Sequence, residues 1–165
     1  PPRSTLFPYT TLFRSQGAAV YTIEPAGIKD LKALNRLEKV CFEEDRWPVW
    51  DLFSVLTVSD VVRLKAVDET GNMLGFIAGD LRESQRFGWI VTLGVFPEYR
   101  RQKIATALLE ACENRMSRDR VRLCVRRSNL GALTLYEKHG YLQVDIWKKY
   151  YVGGEDALLL EKVLS

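Results

Sequence analysis

The segment Gly88–Cys112, GWIVTLGVFPEYRRQKIATALLEAC, constrains the fold of this chain more than any other. Gly88–Val95 is nearly all apolar, the composition of a strand covered on both faces. Gly94 inside it predicts a bulge, or a close approach by another backbone or a ligand. Pro97 cannot donate to a sheet ladder and stops the strand. After a basic turn over Glu98–Lys103, Ile104, Leu108 and Ala111 form one row at helical spacing, and Ala105, Leu109, Cys112 and Met116 form another. One helix face is therefore apolar. A buried strand running directly into such a helix needs a sheet with helices laid on it, which is α/β architecture.

Strand and helix patterns alternate through the rest of the chain. Ala19–Glu24 reads as a strand ended by Pro25 and Gly27. Ile28, Leu31, Leu34, Leu37 and Cys41 recur at helical spacing over Ile28–Phe42, and Pro48 opens a second short helix to about Thr57. Val61–Val67 and Met73–Gly79 are strands joined at Thr70-Gly71-Asn72, a hairpin signal. Val121–Val125 is a buried-type strand. Ser128 is placed to cap a helix over Asn129–Lys138, with Gly140 at its C-terminus. Tyr141–Tyr150 and Ala157–Val163 complete the pattern. The order β-α-α-β-β-β-α-β-α-β-β predicts a single α/β domain, with a mixed sheet of about six to seven strands flanked by about four helices.

Composition excludes several function classes. The chain has 165 residues, 47% hydrophobic and 27% charged, which is too apolar for a disordered polypeptide. A net charge of +3 is not the concentrated basic surplus of a nucleic-acid binder, so no such partner is expected. No apolar run approaches the ~18 residues of a membrane span. Cys41, Cys112 and Cys124 form no Cys-x-x-Cys pair and His139 is the single histidine, so neither a disulfide framework nor a metal site is expected. A reducing, cytoplasmic location follows from that cysteine usage, and no signal peptide is expected. Pro1–Ser15, PPRSTLFPYTTLFRS, repeats Thr-Leu-Phe and has no amphipathic period. It is expected to be a non-native or disordered segment, with the functional domain over residues 16–165.

Chemistry concentrates at the turn before the central helix. Arg100, Arg101, Gln102 and Lys103 precede Ile104 and Ala105 at a helix start, where free N–H groups and the helix dipole favour an anion such as phosphate. An ordinary basic helix start has the same composition, and the turn alone leaves both readings open.

Three segments in order, VTLGVFPEYRRQKIATALL, LCVRRSNLGALTLYEKHGY and KKYYVGGEDALLLEK, together resemble the GCN5-related N-acetyltransferase (GNAT) superfamily. Within it they resemble the branch of ribosomal-protein-alanine and other protein N-terminal α-amine acetyltransferases. The resemblance spans about Ala19 to Leu164. It implies acetyl-CoA as cosubstrate, with the pyrophosphate over Arg100–Ala105, that is Arg100, Arg101, Gln102, Lys103, Ile104 and Ala105. Lys103 stands where the family has glycine. It further implies that the backbone of Leu93, Gly94 and Val95 pairs with pantetheine and polarises the thioester, and that Asn129 contacts CoA. Tyr136 then protonates the departing thiolate. Tyr150 and Tyr151 line the acceptor pocket, and the loop carrying Glu44 and Asp45 forms its other wall.

The implied reaction is direct attack of an amine on the thioester. An α-amine has a pKa of about 8, so a modest base suffices. Bacterial members place a glutamate where this chain has Cys124, and a eukaryotic relative uses tyrosine and histidine at positions occupied here by Trp89 and Cys124. Cys124 reads either as an acyl-accepting nucleophile or as a small apolar residue of a buried strand. Arg115, Arg118, Arg120, Arg122, Arg126 and Arg127 read either as ligands for RNA or the CoA 3′-phosphate, or as a solvated surface. Trp47 and Trp50 read as helix packing beside the acceptor pocket. His139 reads as a helix C-terminal residue meeting the dipole.

The acceptor is expected to be a peptide N-terminus, or else a small amine of polyamine or aminoglycoside type. A domain that binds acyl-CoA or a partner without efficient turnover is the alternative class. The chain is expected to act as a monomer or weak dimer.

Overall fold

The computed structural model describes residues 20–84 and 86–164, so Pro1–Ser15 lies outside the described residues. In chain order the elements are β1 (Tyr21–Pro25), a 3-10 turn over Ile28–Asp30, α1 (Leu31–Cys41), α2 (Val49–Thr57), β2 (Val61–Asp68), β3 (Met73–Asp80) and β4 (Phe87–Val95). A second 3-10 turn at Pro97–Tyr99 leads to α3 (Ile104–Met116), β5 (Arg120–Arg126), α4 (Leu130–Lys138), β6 (Leu142–Trp147) and β7 (Ala157–Val163). This is the α/β order read from the periodicities, with seven strands in one mixed sheet and four α-helices.

Strand order is β1-β2-β3-β4-β5-β7-β6. Every neighbouring pair is antiparallel except β4 with β5. That parallel pair needs a crossover, and α3 supplies it. The apolar rows of α3 are buried on one sheet face, where Ile104, Leu108, Leu109, Cys112 and Met116 meet Leu64, Leu74, Ile77, Val121 and Leu123. α4 adds Tyr136 to that core. The opposite face is covered by α1 and α2, whose Leu34, Leu37, Leu52 and Leu56 pack on Phe76 and Ala78 of β3. Because β3 is buried on both faces, it carries no alternation of wet and dry positions.

Two local expectations are corrected. Asn129, not Ser128, caps α4: its side-chain oxygen accepts from the Ala132 N–H at 3.1 Å, which satisfies one of the orphan donors of the first turn. The Ser128 N–H instead donates to Glu155 at 2.7 Å. The irregularity in β4 falls at Val91 rather than Gly94. Ala78 faces Thr92 and Gly79 faces Ile90, which leaves Val91 as the extra residue. Gly94 is regularly paired with Phe76, and a side chain on it would come within 3.3 Å of the Phe42 ring. Glycine there lets the end of α1 pack closely onto β4.

Candidate active site

The sheet parts along one line. The β4–β5 ladder runs from Phe87–Arg120 to Ile90–Leu123 and stops. β4 continues beside β3 as far as Val95, while Cys124, Val125 and Arg126 of β5 continue beside β7. From the Val91 bulge onward, β4 has no partner strand on its β5 side. A wedge therefore opens there, bordered by the predicted Leu93, Gly94 and Val95.

The turn after β4 has the geometry of an anion cradle. Arg101 and Lys103 both adopt left-handed backbone angles, with φ of 60° and 59°. The first backbone bond closing α3 runs from the Ala107 N–H to the Lys103 carbonyl at 3.0 Å. The amides of Ile104, Ala105 and Thr106 thus lie before the first helical donor, at the positive end of the dipole. The Tyr21 hydroxyl donates to the Lys103 carbonyl at 3.3 Å and braces the turn. Arg101 and Lys103 are exposed, whereas Ile104 is buried and anchors the helix. Arg100 turns away from the turn, its Nε donating to the Val95 carbonyl at 3.1 Å and its Nη2 reaching the Cys41 sulfur at 3.7 Å. The turn thus presents backbone amides with the exposed Arg101 and Lys103, while Arg100, also exposed, is bonded back to Val95 and Cys41.

A cavity of about 580 Å3 opens at the wedge. The α1–α2 loop contributes Glu44, Asp45 and Trp47, the β6–β7 loop contributes Tyr150 and Tyr151, and Trp89 and Cys124 come from the parting strands. Residues expected at the acceptor pocket, separated by more than a hundred positions, are thus brought together. Trp147, not singled out in the sequence, joins them in a run of rings. Its centroid lies 6.2 Å from Trp89 and 5.4 Å from Tyr150, which in turn lies 5.1 Å from Tyr151. Asp80 was also missed; it reaches the cavity because it pairs with Trp89 across the β3–β4 ladder.

The electrostatics divide the polar groups by role. Burial pushes the Cys124 thiol up to about 11, so it is protonated at neutral pH and is no base. Burial, reinforced by the neighbouring Cys124, also raises the Tyr150 and Tyr151 hydroxyls, which stay protonated as donors. Asp80 is held by Arg82 and Asp45 by Arg126. Glu44 and Glu83 are the exposed lining carboxylates, the Glu44 side chain being 71% exposed and 3.5 Å from Arg126. Glu38, a further residue that sequence reasoning missed, is buried behind the cavity. It accepts from the Trp47 N–H and the Thr92 hydroxyl, each at 3.4 Å, and burial raises its carboxyl.

Tyr136 does not line this cavity. It is buried in α4, edge-on to Tyr141 with centroids 5.5 Å apart, and burial raises its hydroxyl. Asn129 commits its side-chain oxygen to the cap and retains its NH2 for other contacts. Arg126, for which the sequence left a ligand for RNA or the CoA 3′-phosphate and a solvated surface open, is bonded among carboxylates. Among the described residues, no group of three or more His, Cys, Asp or Glu side chains is disposed to hold a metal ion. No helix there is long and apolar enough to cross a membrane.

The chain is similar to known proteins in sequence and fold. Residues 31–141 match the family model of the acetyltransferase (GNAT) family. An N-alpha-acetyltransferase of Saccharolobus solfataricus is 45% identical over 83 residues, which is 48% of this chain and 50% of that protein, so the match spans half its length. The N-terminal acetyltransferase A complex catalytic subunit NAA10 of Arabidopsis thaliana is 32% identical over 150 residues, covering 87% of this chain and 78% of the relative. The ribosomal-protein-S18-alanine N-acetyltransferase from Escherichia coli superposes with a TM-score of 0.79 at 25% identity, covering 88% and 94% of the two chains. With the parted β4 and β5 strands, the left-handed turn opening α3 and a family match across most of the domain, this chain belongs to the GNAT family of acetyltransferases.

Proposed function

We propose that the protein transfers the acetyl group of acetyl-CoA to the α-amine of a peptide N-terminus by direct attack. The observation that carries this reading is the wedge between β4 and β5, which opens on an aromatic and acidic cavity while β4 itself runs on into the left-handed turn of α3. The residues present fit the cosubstrate. Amides ahead of the first helical bond, with Arg101 and Lys103, suit a pyrophosphate. The unpaired edge of Leu93–Val95 offers backbone groups to pantetheine and an N–H to the oxyanion of the tetrahedral intermediate.

Acetyl-CoA, when bound, supplies the activated thioester. Glu44, exposed at the cavity and at the long end of ion-pair range from Arg126, takes the amine's proton, directly or through water. The Tyr150 and Tyr151 hydroxyls orient the acceptor, and Tyr136 donates a proton to the leaving thiolate. Names of relatives that refer to N-terminal, N-alpha and ribosomal-protein-alanine acetylation support a peptide acceptor. Unbridged Cys41, Cys112 and Cys124 support a cytoplasmic location.

The test incubates the protein with acetyl-CoA and a panel of N-terminal hexapeptides, polyamines and aminoglycosides, and follows thiol release. Steady release with hexapeptides is expected. Release confined to small amines reassigns the acceptor. CoA binding without release supports the alternative of an acyl-CoA-binding domain, which the protonated Cys124 at the family's base position favours.

A further inference from the structure

The two walls of the acceptor cavity each close their own hydrogen bonds. In the β6–β7 loop, the Tyr151 N–H donates to the Glu155 carbonyl and the Gly154 N–H to the Tyr151 carbonyl. On the other side, the Trp47 N–H donates to Glu38, within the same α1–α2 segment. Among the described residues, a guanidinium from the end of β5 joins the two walls. Arg126 donates through Nε and Nη2 to both oxygens of Asp45, the latter at 2.8 Å. Through Nη1 it donates to Glu155 at 2.7 Å, and through Nη2 also to the Val152 carbonyl at 3.0 Å. Its plane lies over the Tyr151 ring, 4.7 Å from the centroid.

We propose that Arg126 is a positioning residue for the acceptor: it locks the Glu44–Trp47 wall to the Tyr150–Glu155 wall, and so sets the width of the acceptor cavity. The inference rests on the reading of that cavity as the acceptor site.

The chemistry suits a rigid lock. A guanidinium presents its donors in a fixed planar fork, which can engage two carboxylates and a carbonyl at once while stacking on a ring. Lysine has neither the plane nor the fork. The side chain is only 19% exposed, so its bonds are partly shielded from solvent. Glu155 extends the lock, because its second oxygen accepts from the Ser128 N–H at 2.7 Å, one residue before the Asn129 cap of α4. The cavity width and the seat of the helix carrying Tyr136 are thereby tied to one side chain. With every nitrogen of its guanidinium bonded to these two walls, Arg126 is turned to them rather than toward the CoA 3′-phosphate.

The test measures Arg126→Met, Arg126→Lys and Asp45→Asn, with acetyl-CoA and the best hexapeptide varied separately. Arg126→Met is expected to raise KM for the peptide at least tenfold and to leave KM for acetyl-CoA within about twofold. Arg126→Lys should recover only part of the loss, because charge without the fork cannot span both walls. Asp45→Asn, a milder change for folding, should raise peptide KM in the same direction and should not add fully to Arg126→Met. Amide hydrogen exchange should quicken in residues 43–48 and 149–155 in Arg126→Met.

Unchanged peptide KM in both Arg126→Met and Asp45→Asn, or a loss confined to acetyl-CoA, overturns the proposal. If the wild type acetylates no peptide at all, the acceptor reading fails. Exchange then decides the lock alone, with unaltered protection in both loops refuting it.

Discussion

Arg100 donates to the carbonyl of Val95, five residues earlier, at 3.1 Å, and so folds its side chain back over the end of β4 instead of into the turn that follows. The same guanidinium reaches the Cys41 sulfur at the end of α1. This ties the last residue of the unpaired strand edge to the helix packed on it.

Arg100 and Arg101 should therefore fail in different ways. Arg100→Ala leaves the Val95 carbonyl without that donor, at a cost of about 1–2 kcal/mol, and should lower the melting temperature as well as weaken CoA binding. Arg101→Ala should weaken CoA binding with the melting temperature little changed, since the bond to the Val95 carbonyl is made by Arg100 and not by Arg101. Calorimetry and thermal melting on both variants separate the effects. Together the two substitutions should cost tenfold or more in CoA affinity.

Lys103 holds a φ of 59°, a conformation that costs a residue with a Cβ about 1 kcal/mol and costs glycine almost nothing. Lys103→Gly should raise the melting temperature slightly, the relief being partly offset by greater unfolded-chain entropy. Lys103→Ala keeps the strain and removes the ammonium. Should Lys103→Ala bind CoA as well as the wild type, the ammonium is not a phosphate ligand.

Tyr136→Phe should lower kcat by roughly 10²–10⁴-fold and leave KM for acetyl-CoA within a few-fold, as expected for a proton given in the transition state. Burial holds the hydroxyl protonated across the physiological range, the form an acid needs. Near-normal kcat would instead assign Tyr136 to packing against Tyr141.

Cys124 tests the order of steps. A thiol pushed up to about 11 is a poor base and a poor nucleophile at neutral pH. Cys124→Ser should turn over at nearly the wild-type rate. Cys124→Glu should raise the rate if the cavity hydrates the carboxylate, at some loss of melting temperature. Loss of activity in folded Cys124→Ser, with an acetyl group trapped on Cys124 by mass spectrometry, would establish a covalent route instead.

Glu38 gives a pH dependence of stability. Its carboxyl is raised above the ordinary value of 4.5, because burial outweighs the bonds from Trp47 and Thr92. A raised carboxyl binds its proton more tightly folded than unfolded. Its favourable contribution is therefore complete below the unfolded value and is lost as pH rises through the folded one. Glu38→Gln should remove that decline, so its melting temperature relative to wild type should improve between pH 4 and pH 7. A difference independent of pH would show that Glu38 is not titrating in the fold.

Local patterns in the chain determined the elements. The apolar run of β4, the stop at Pro97 and the two rows on α3 arise from contacts a few residues apart, and their periods record which faces are buried. The basic turn was legible for the same reason, since a helix start is a local event. The left-handed angle at Lys103 was not, because lysine carries no signal for it.

Tertiary structure decided everything that depends on register and distant partners. The bulge sits at Val91 rather than at the glycine three residues on, because ladder pairing with Ala78 and Gly79 sets it. Arg126 read as one arginine of a basic run, yet its partners lie 81 residues before it and 29 after it. Trp147 and Asp80 reach the cavity only through the strands that flank them, and Glu38 becomes a buried acid only when α1 covers β4. Such positions are set by how layers stack. The energy of stacking belongs to pairs of surfaces, and no single stretch of the chain contains both members of a pair.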